Sequence, residues 1–158
     1  LGHHHVAGCT GSTSGKVAPG VFGLPETALL DMGDFAGAVL KYLRRHPIER
    51  LTLCGGVGKL AKLADGHLDL HSARSQVDTR FLAGLARQVG ADEQLAAAVA
   101  QATTALGAVE LCAASGIELG DAIAQAARQV AAGVLGEAPV AVDVICIDRA
   151  GTIVGHAR

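Results

Sequence analysis

LTLCGGVGKLAKLADGHLDLHS, residues 51–72, is the stretch on which the fold turns. Leu51-Thr52-Leu53-Cys54 is a short apolar run that reads as a buried strand. It empties into Gly55-Gly56-Val57-Gly58, where missing side chains let a ligand or another backbone come close. Lys59 then opens a helical pattern, with Leu60 and Leu63 on one face and Lys59 and Lys62 on another. Strand, glycine turn and helix together aim free backbone N–H groups and a positive helix end at an anion. Asp65, His67, Asp69, His71 and Ser72 follow, more polar groups than packing requires. The spacing is not that of the Walker phosphate loop and is only loosely that of the dinucleotide fingerprint. The pattern alone leaves an ordinary tight strand-to-helix turn and a ligand cradle both open.

Working outward, Val6 to Cys9 forms a strand that leads into Thr10-Gly11-Ser12-Thr13-Ser14-Gly15-Lys16. The hydroxyls of that loop either cap the following helix or hydrogen-bond a ribose or carboxylate. Pro19 and Gly20 keep this helix short. Ala28 to Met32 is a short strand, and Gly33-Asp34 caps a helix over Phe35 to Arg45 with Phe35, Val39, Leu40 and Leu43 on its apolar stripe. His46-Pro47 ends it. Beyond the central stretch, helices cover Asp78 to Val89, Glu93 to Ser115 with an interruption near Thr103-Thr104, and Leu119 to Leu135 closed by Gly136. Val140 to Ile147 reads as a strand covered on both faces. Asp148-Arg149-Ala150-Gly151 turns the chain back into Thr152 to His156.

Strands alternating with helices give a single α/β domain over residues 1–158, a mainly parallel sheet flanked by helices with an antiparallel carboxy-terminal hairpin. Ligands of such sheets sit at the carboxyl ends of the strands. There the loops at Gly11–Ser14, Gly33–Asp34 and Gly55–Lys59 would converge, which favours the ligand cradle.

Composition excludes several classes. Lys and Arg total 13 against 15 Asp and Glu, a net charge of -2, so nucleic acid is not expected as a partner. Aromatics make up only 3%, too few for base-stacking platforms. No apolar run is long enough to span a bilayer, so no membrane is expected. Cys9, Cys54, Cys112 and Cys146 are scattered and read as reduced, buried thiols of a cytoplasmic protein. His3-His4-His5 is the remnant of a tag, a natural run or part of an edge strand. Adjacent strand residues point to opposite faces, so these histidines do not suit one metal ion.

The residues also resemble a known family. GGVGKLAKLADGHLDLHS, preceded by TGSTS at Gly11, GLPE at Gly23–Glu26 and DMGDFAGAVLKYLRRHP from Asp31, resembles the cobalt-precorrin-5B (carbon 1) methyltransferases of anaerobic cobalamin biosynthesis. ATT at Ala102–Thr104 and the VAVDVICIDRAGTIVGHAR ending fit the same pattern. The departures fall at Gly56, where many members carry His, and near Ser12 and at Asp34 or Thr103, where they carry Asn. The resemblance implies the carboxy-terminal portion of a longer enzyme, and an edge left without the amino-terminal part would favour a homo-oligomer.

It further implies methyl transfer from S-adenosylmethionine to carbon 1 of a tetrapyrrole, with cobalt carried in by the substrate and no protein metal site. Gly11, Ser12, Gly55, Gly56 and Gly58 are the candidate donor-binding residues. His71 and Lys59 are the candidate catalytic residues, and Lys62, Ser72 and Arg74 the candidates for substrate carboxylates. The rival readings are a non-catalytic ligand-binding module and a nucleotide-binding domain that uses the Gly55–Lys59 turn for a phosphate.

Overall fold

In the computed structural model, which describes residues 4–25, 28–71 and 76–158 (side chains of Ser12, Pro19 and Phe22 excepted), the central stretch forms the middle of the sheet. Strand β3 (Arg50–Gly56) lies between β1 (His5–Cys9) and β4 (Ala141–Ile147) and is parallel to both. Strand β2 (Leu29–Asp31) pairs in parallel outside β1, and β5 (Ile153–Ala157) closes the far edge antiparallel to β4. The order is β2-β1-β3-β4-β5, the expected mainly parallel sheet with an antiparallel carboxy-terminal pair.

The helices are α1 (Ser12–Phe22), α2 (Ala36–Arg45), α3 (Val57–Ala64), α4 (Thr79–Gln88), α5 (Glu93–Ala100), α6 (Ala105–Ala114) and α7 (Leu119–Leu135). Side chains alternate across a strand, so both faces of β3 and β4 need cover. Leu51, Leu53, Val142, Val144 and Cys146 pack in the larger core with buried residues of α2, α3 and α7. Cys54, Ile145 and Ile147 point the other way, into a smaller core with Ala7, Cys9 and Ala18 of α1. All four cysteines are buried and free. Burial pushes the Cys54 thiol up to about 12, with Cys9 adding to the effect, so this sulfur is a packing group rather than a nucleophile.

Four details differ from the sequence expectation. β3 runs through Gly55 and Gly56 and α3 begins at Val57, so strand passes to helix without a glycine loop. Ladder pairing of Gly55 with Cys146 and of Gly56 with Ile147 holds both glycines extended. Helix α1 continues past Pro19 and Gly20 to Phe22, forfeiting one intrahelical bond, because its packing through Ala18 and Val17 outweighs that loss. Asp34 does not cap α2, since its carboxylate is drawn into an ion pair with Lys59. Phe35 precedes α2 rather than opening it, and stands 57% exposed.

Of the histidine run, His5 opens β1 and pairs with Arg50 of β3, while the pairing of β1 with β2 begins only at Ala7; His3 lies outside the described residues. His5 Nε2 meets Thr52 Oγ1 at 2.7 Å, and Asp143 takes hydrogen bonds from Arg50 Nη1 at 2.9 Å and Thr52 Oγ1 at 3.5 Å. This partly buried network lies toward the amino ends of the strands, away from the carboxyl ends where ligands bind.

Candidate functional site

Because β2 lies on one side of β1 and β3 on the other, the connections from β1 and from β3 leave the sheet in different directions. The gap between the carboxyl ends of β1 and β3 is therefore the topological switch point, the usual ligand crevice of an open α/β sheet. A cavity of about 510 Å³ opens there. Thr10, Gly11, Thr13 and Ser14 line it from the end of β1, and Gly56, Val57, Gly58 and Lys59 from the end of β3. Thr104, Ala105 and Leu106 at the start of α6, and Ile147, Asp148 and Arg149 at the end of β4, complete it.

The first turns of α1, α3 and α6 thus meet at one cavity. First-turn amides have no intrahelical acceptor, and helix amino ends carry partial positive charge. Neither α1 nor α3 has a side-chain cap on these amides, since their N-cap residues are Gly11 and Gly56. Thr104 does cap α6, its Oγ1 accepting from Gly107 N at 2.9 Å. The Ser14 hydroxyl is occupied, accepting from Gly11 N at 3.0 Å and donating to Gly11 O at 2.8 Å. An anionic ligand with some apolar surface, against Val57, Leu106 and Ile147, suits this lining.

The candidate glycines fall into two kinds. A Cβ built on Gly11, Gly56 or Gly58 meets nothing within 4 Å, so these three leave open space at the cavity wall. A Cβ on Gly55 would lie 2.6 Å from Thr10 Oγ1 and 2.8 Å from its Cγ2. Gly55 therefore lets Thr10 lie across the strand, and it does not line the cavity. Ser12 opens α1, and its side chain lies outside the described residues.

Lys59 lines the cavity and is already engaged, its Nζ donating to Asp34 Oδ1 and, at 3.2 Å, to Leu70 O. Lys62, one turn on, is 7% exposed and donates to the same Leu70 carbonyl at 3.1 Å. Burial holds the Lys62 ammonium below its usual range, Lys59 adds to that effect, and Asp34 opposes it. Both lysines tie α3 to the 65–71 segment, which is also held by Leu70 N on Asp34 O at 2.8 Å and Gly37 N on Leu68 O at 3.0 Å. His71 ends that segment, exposed, its amide donating to Asp69 Oδ1 at 3.0 Å. Neither Lys62 nor His71 lines the cavity. Ser72 and Arg74 lie outside the described residues.

Two contributors to the lining escaped the sequence reading, and a third residue, Asp31, stands beside the tip of β1 without lining the cavity. Thr104, Ala105 and Leu106 lie at and just after the interruption read near Thr103-Thr104, and only the fold brings them to the crevice. Asp148-Arg149 was a turn, although its position at the carboxyl end of a parallel strand was a usable signal. Asp31 ends β2, in register with Cys9 of β1, and its exposed carboxylate accepts from Gly33 N at 3.2 Å. Burial and then this carboxylate push the Cys9 thiol up, partly offset by the Ser14 hydroxyl, so the acid acts at the tip of β1. In dinucleotide-binding folds an acidic residue about 20 positions beyond the first glycines takes ribose hydroxyls. Gly11 and Asp31 stand at that interval.

Among the described residues no group of three or more His, Cys, Asp or Glu converges as a metal site. Nor, among them, is any helix long and apolar enough to cross a membrane.

Comparison with known proteins bears out the resemblance read from the sequence. Relatives named cobalt-precorrin-5B C(1)-methyltransferase match almost the whole chain. The protein from Paramagnetospirillum magneticum is 56% identical over 154 residues, 98% of this chain and 43% of the relative. One from Pseudomonas putida is 53% identical over 156 residues, 99% of this chain and 43% of the relative. One from Burkholderia multivorans is 51% identical over 154 residues, 98% and 42% respectively. The chain spans less than half the length of these curated relatives. No solved structure matches it at a significant level. The family model described as "CbiD, C-terminal domain" matches residues 69–158, more than half of the chain. With that match and the near-complete coverage by relatives, the chain belongs to the family of CbiD carboxy-terminal domains.

Proposed function

We propose that this chain is the donor-binding part of a C-methyltransferase that uses S-adenosylmethionine and acts on carbon 1 of cobalt-precorrin-5B, the tetrapyrrole in the names of its relatives. The observation that carries the reading is the meeting of the α1 and α3 amino ends, both without side-chain caps, at the β1/β3 switch point. Their amides suit the donor's carboxylate, and Asp31 suits its ribose hydroxyls. Gly11, Gly56 and Gly58 leave the space that a close-lying ligand needs. The bound donor supplies an electrophilic methyl group to a nucleophilic ring carbon, and cobalt belongs to the acceptor.

Such a transfer depends chiefly on holding two partners close and in line. Val57, Leu106 and Ile147 give the cavity apolar lining. Lys59 is held at its wall as an ammonium paired with Asp34 and bonded to the Leu70 carbonyl, and we assign it an orienting role. His71 is retained as a group on the acceptor side, at the end of the segment that Lys59 and Lys62 hold.

Calorimetric titration with S-adenosylmethionine, S-adenosylhomocysteine and ATP tests the reading. Saturable binding of the first two and none of ATP is expected. Tighter binding of ATP would replace it with the phosphate-binding reading, and indifference to all three would remove the donor site from this chain.

A further inference from the structure

Among the described residues, Lys59 and Arg149 are the two cationic side chains on the cavity lining, and they are in different states. Lys59 is matched by Asp34 and also spends a donor on Leu70 O. Arg149 is exposed and has neither an ion-pair nor a hydrogen-bond partner among the described residues. Asp148 beside it is consumed by the turn: its Oδ1 accepts from Ala150 N and Thr152 N, each at 2.9 Å. The turn is closed further by Asp148 N on Thr152 O at 2.9 Å and Gly151 N on Asp148 O at 3.1 Å. Arg149 thus stands on a hydrogen-bonded two-strand corner at the lining of a site where helix amino ends meet.

Size decides which ligand it meets. A cavity of about 510 Å³ suits one ligand of drug-like dimensions, within the usual pocket range of roughly 300–1,000 Å³. A tetrapyrrole macrocycle is too large to share it with the methyl donor. It must lie across the mouth and present one edge inward. The donor carries a single carboxylate, which the α1 and α3 amides serve at the switch point, leaving the β4 side to the second partner. A planar guanidinium at the mouth, not yet paired, matches a carboxylate on the rim of that macrocycle in a bidentate contact.

Resting on the donor reading above, we propose that Arg149 reads a peripheral carboxylate of the methyl acceptor and sets the edge by which the macrocycle faces the donor. The ligand class is a polycarboxylate tetrapyrrole, and Arg149 is a binding residue that leaves the donor's own contacts untouched.

Uroporphyrin, a tetrapyrrole with carboxylates on every side chain, serves as the probe, titrated by fluorescence against the wild-type chain and Arg149→Gln, Arg149→Lys and Arg149→Glu. Donor affinity is measured calorimetrically on the same samples. Arg149→Gln is expected to weaken porphyrin binding about tenfold and to flatten its salt dependence, with donor affinity unchanged. Arg149→Lys should fall between, and Arg149→Glu should be the weakest. Because Arg149 is exposed and has no partner among the described residues, all three should unfold at the wild-type midpoint. Porphyrin binding indifferent to all three substitutions, or absent from the wild type, overturns the proposal while leaving the donor reading intact. Loss of donor affinity in parallel would make Arg149 part of the donor site, which also overturns it. Failure of the wild type to bind donor sinks the parent reading instead.

Discussion

Gly55 and Gly56 are adjacent in one strand, and replacing each with alanine should have opposite consequences. At Gly55 the new methyl group would lie 2.6 Å from Thr10 Oγ1, 2.8 Å from Cγ2 and 3.3 Å from Cβ. Rotation about χ1 of a β-branched residue exchanges one branch for the other and leaves the Cβ too close. Nor can Thr10 back away freely, since its amide donates to Cys54 O at 3.1 Å. Overpacking of this kind costs about 1–3 kcal/mol. For a chain of this size a loss of about 2 kcal/mol lowers the melting temperature by roughly 4–8 °C. At Gly56 the methyl meets nothing within 4 Å, so stability should hold within about 0.5 kcal/mol while the group intrudes on the donor cavity. Donor affinity should then drop about tenfold. Urea denaturation of Gly55→Ala, Thr10→Ala and the double variant forms a cycle in which a coupling of about 1 kcal/mol or more is expected. A Gly55→Ala protein as stable as wild type, or a cycle without coupling, would refute the contact argument. A Gly56→Ala protein with full donor affinity would show that the open space at this wall is not used by the donor.

Further predictions concern packing and the buried lysine. A Cβ on Gly120 would lie 1.9 Å from Val154 O, where α7 presses on β5, so Gly120→Ala should cost about 3 kcal/mol or more by denaturant titration. Gly133→Ala in the same helix has open space and should be neutral or stabilising by up to about 1 kcal/mol. Lys62 has a depressed folded-state value, so its favourable contribution is present above the unfolded value of 10.5 and is lost as pH falls through the folded one. Stability should therefore rise with pH on the alkaline side below 10.5 on this account, and Lys62→Met should flatten that rise. The Leu70 carbonyl keeps Lys59 as a donor in that variant, so the midpoint at neutral pH should shift little.

Much of the architecture was legible because it is written in local terms. The alternation of strands and helices is set by short-range periodicity, and α7 spans Leu119–Leu135 as read. The break near Thr103-Thr104 is real, because Thr104 caps α6. The carboxyl ends of β1 and β3 were legible as the candidate site because ligands of parallel sheets sit there, and both line the cavity, whereas the Gly33–Asp34 loop expected beside them does not. The error at Gly55-Gly56 has a physical source. A glycine in a sequence signals that a side chain is forbidden or unneeded, and the reason can be a loop, a ligand or a neighbour such as Thr10. Lys62 misled in the same way: a lysine is exposed by default, and its burial here depends on a carbonyl eight residues along that folds back onto α3.

The sequence by itself determined which segments become strands and helices, the cap that opens α6 and both ends of α7, and the two chain segments at the switch point. Tertiary structure alone decided that the α6 amino end and Arg149 share that crevice, that Gly120 and Gly155 bring two backbones into contact, and that Lys59 is neutralised by Asp34. Periodicity and capping are interactions between residues a few positions apart, so they leave a mark in the chain. The neighbours of a Cβ or an ammonium group come from segments tens of residues away, and only packing the sheet and its helices against one another selects them.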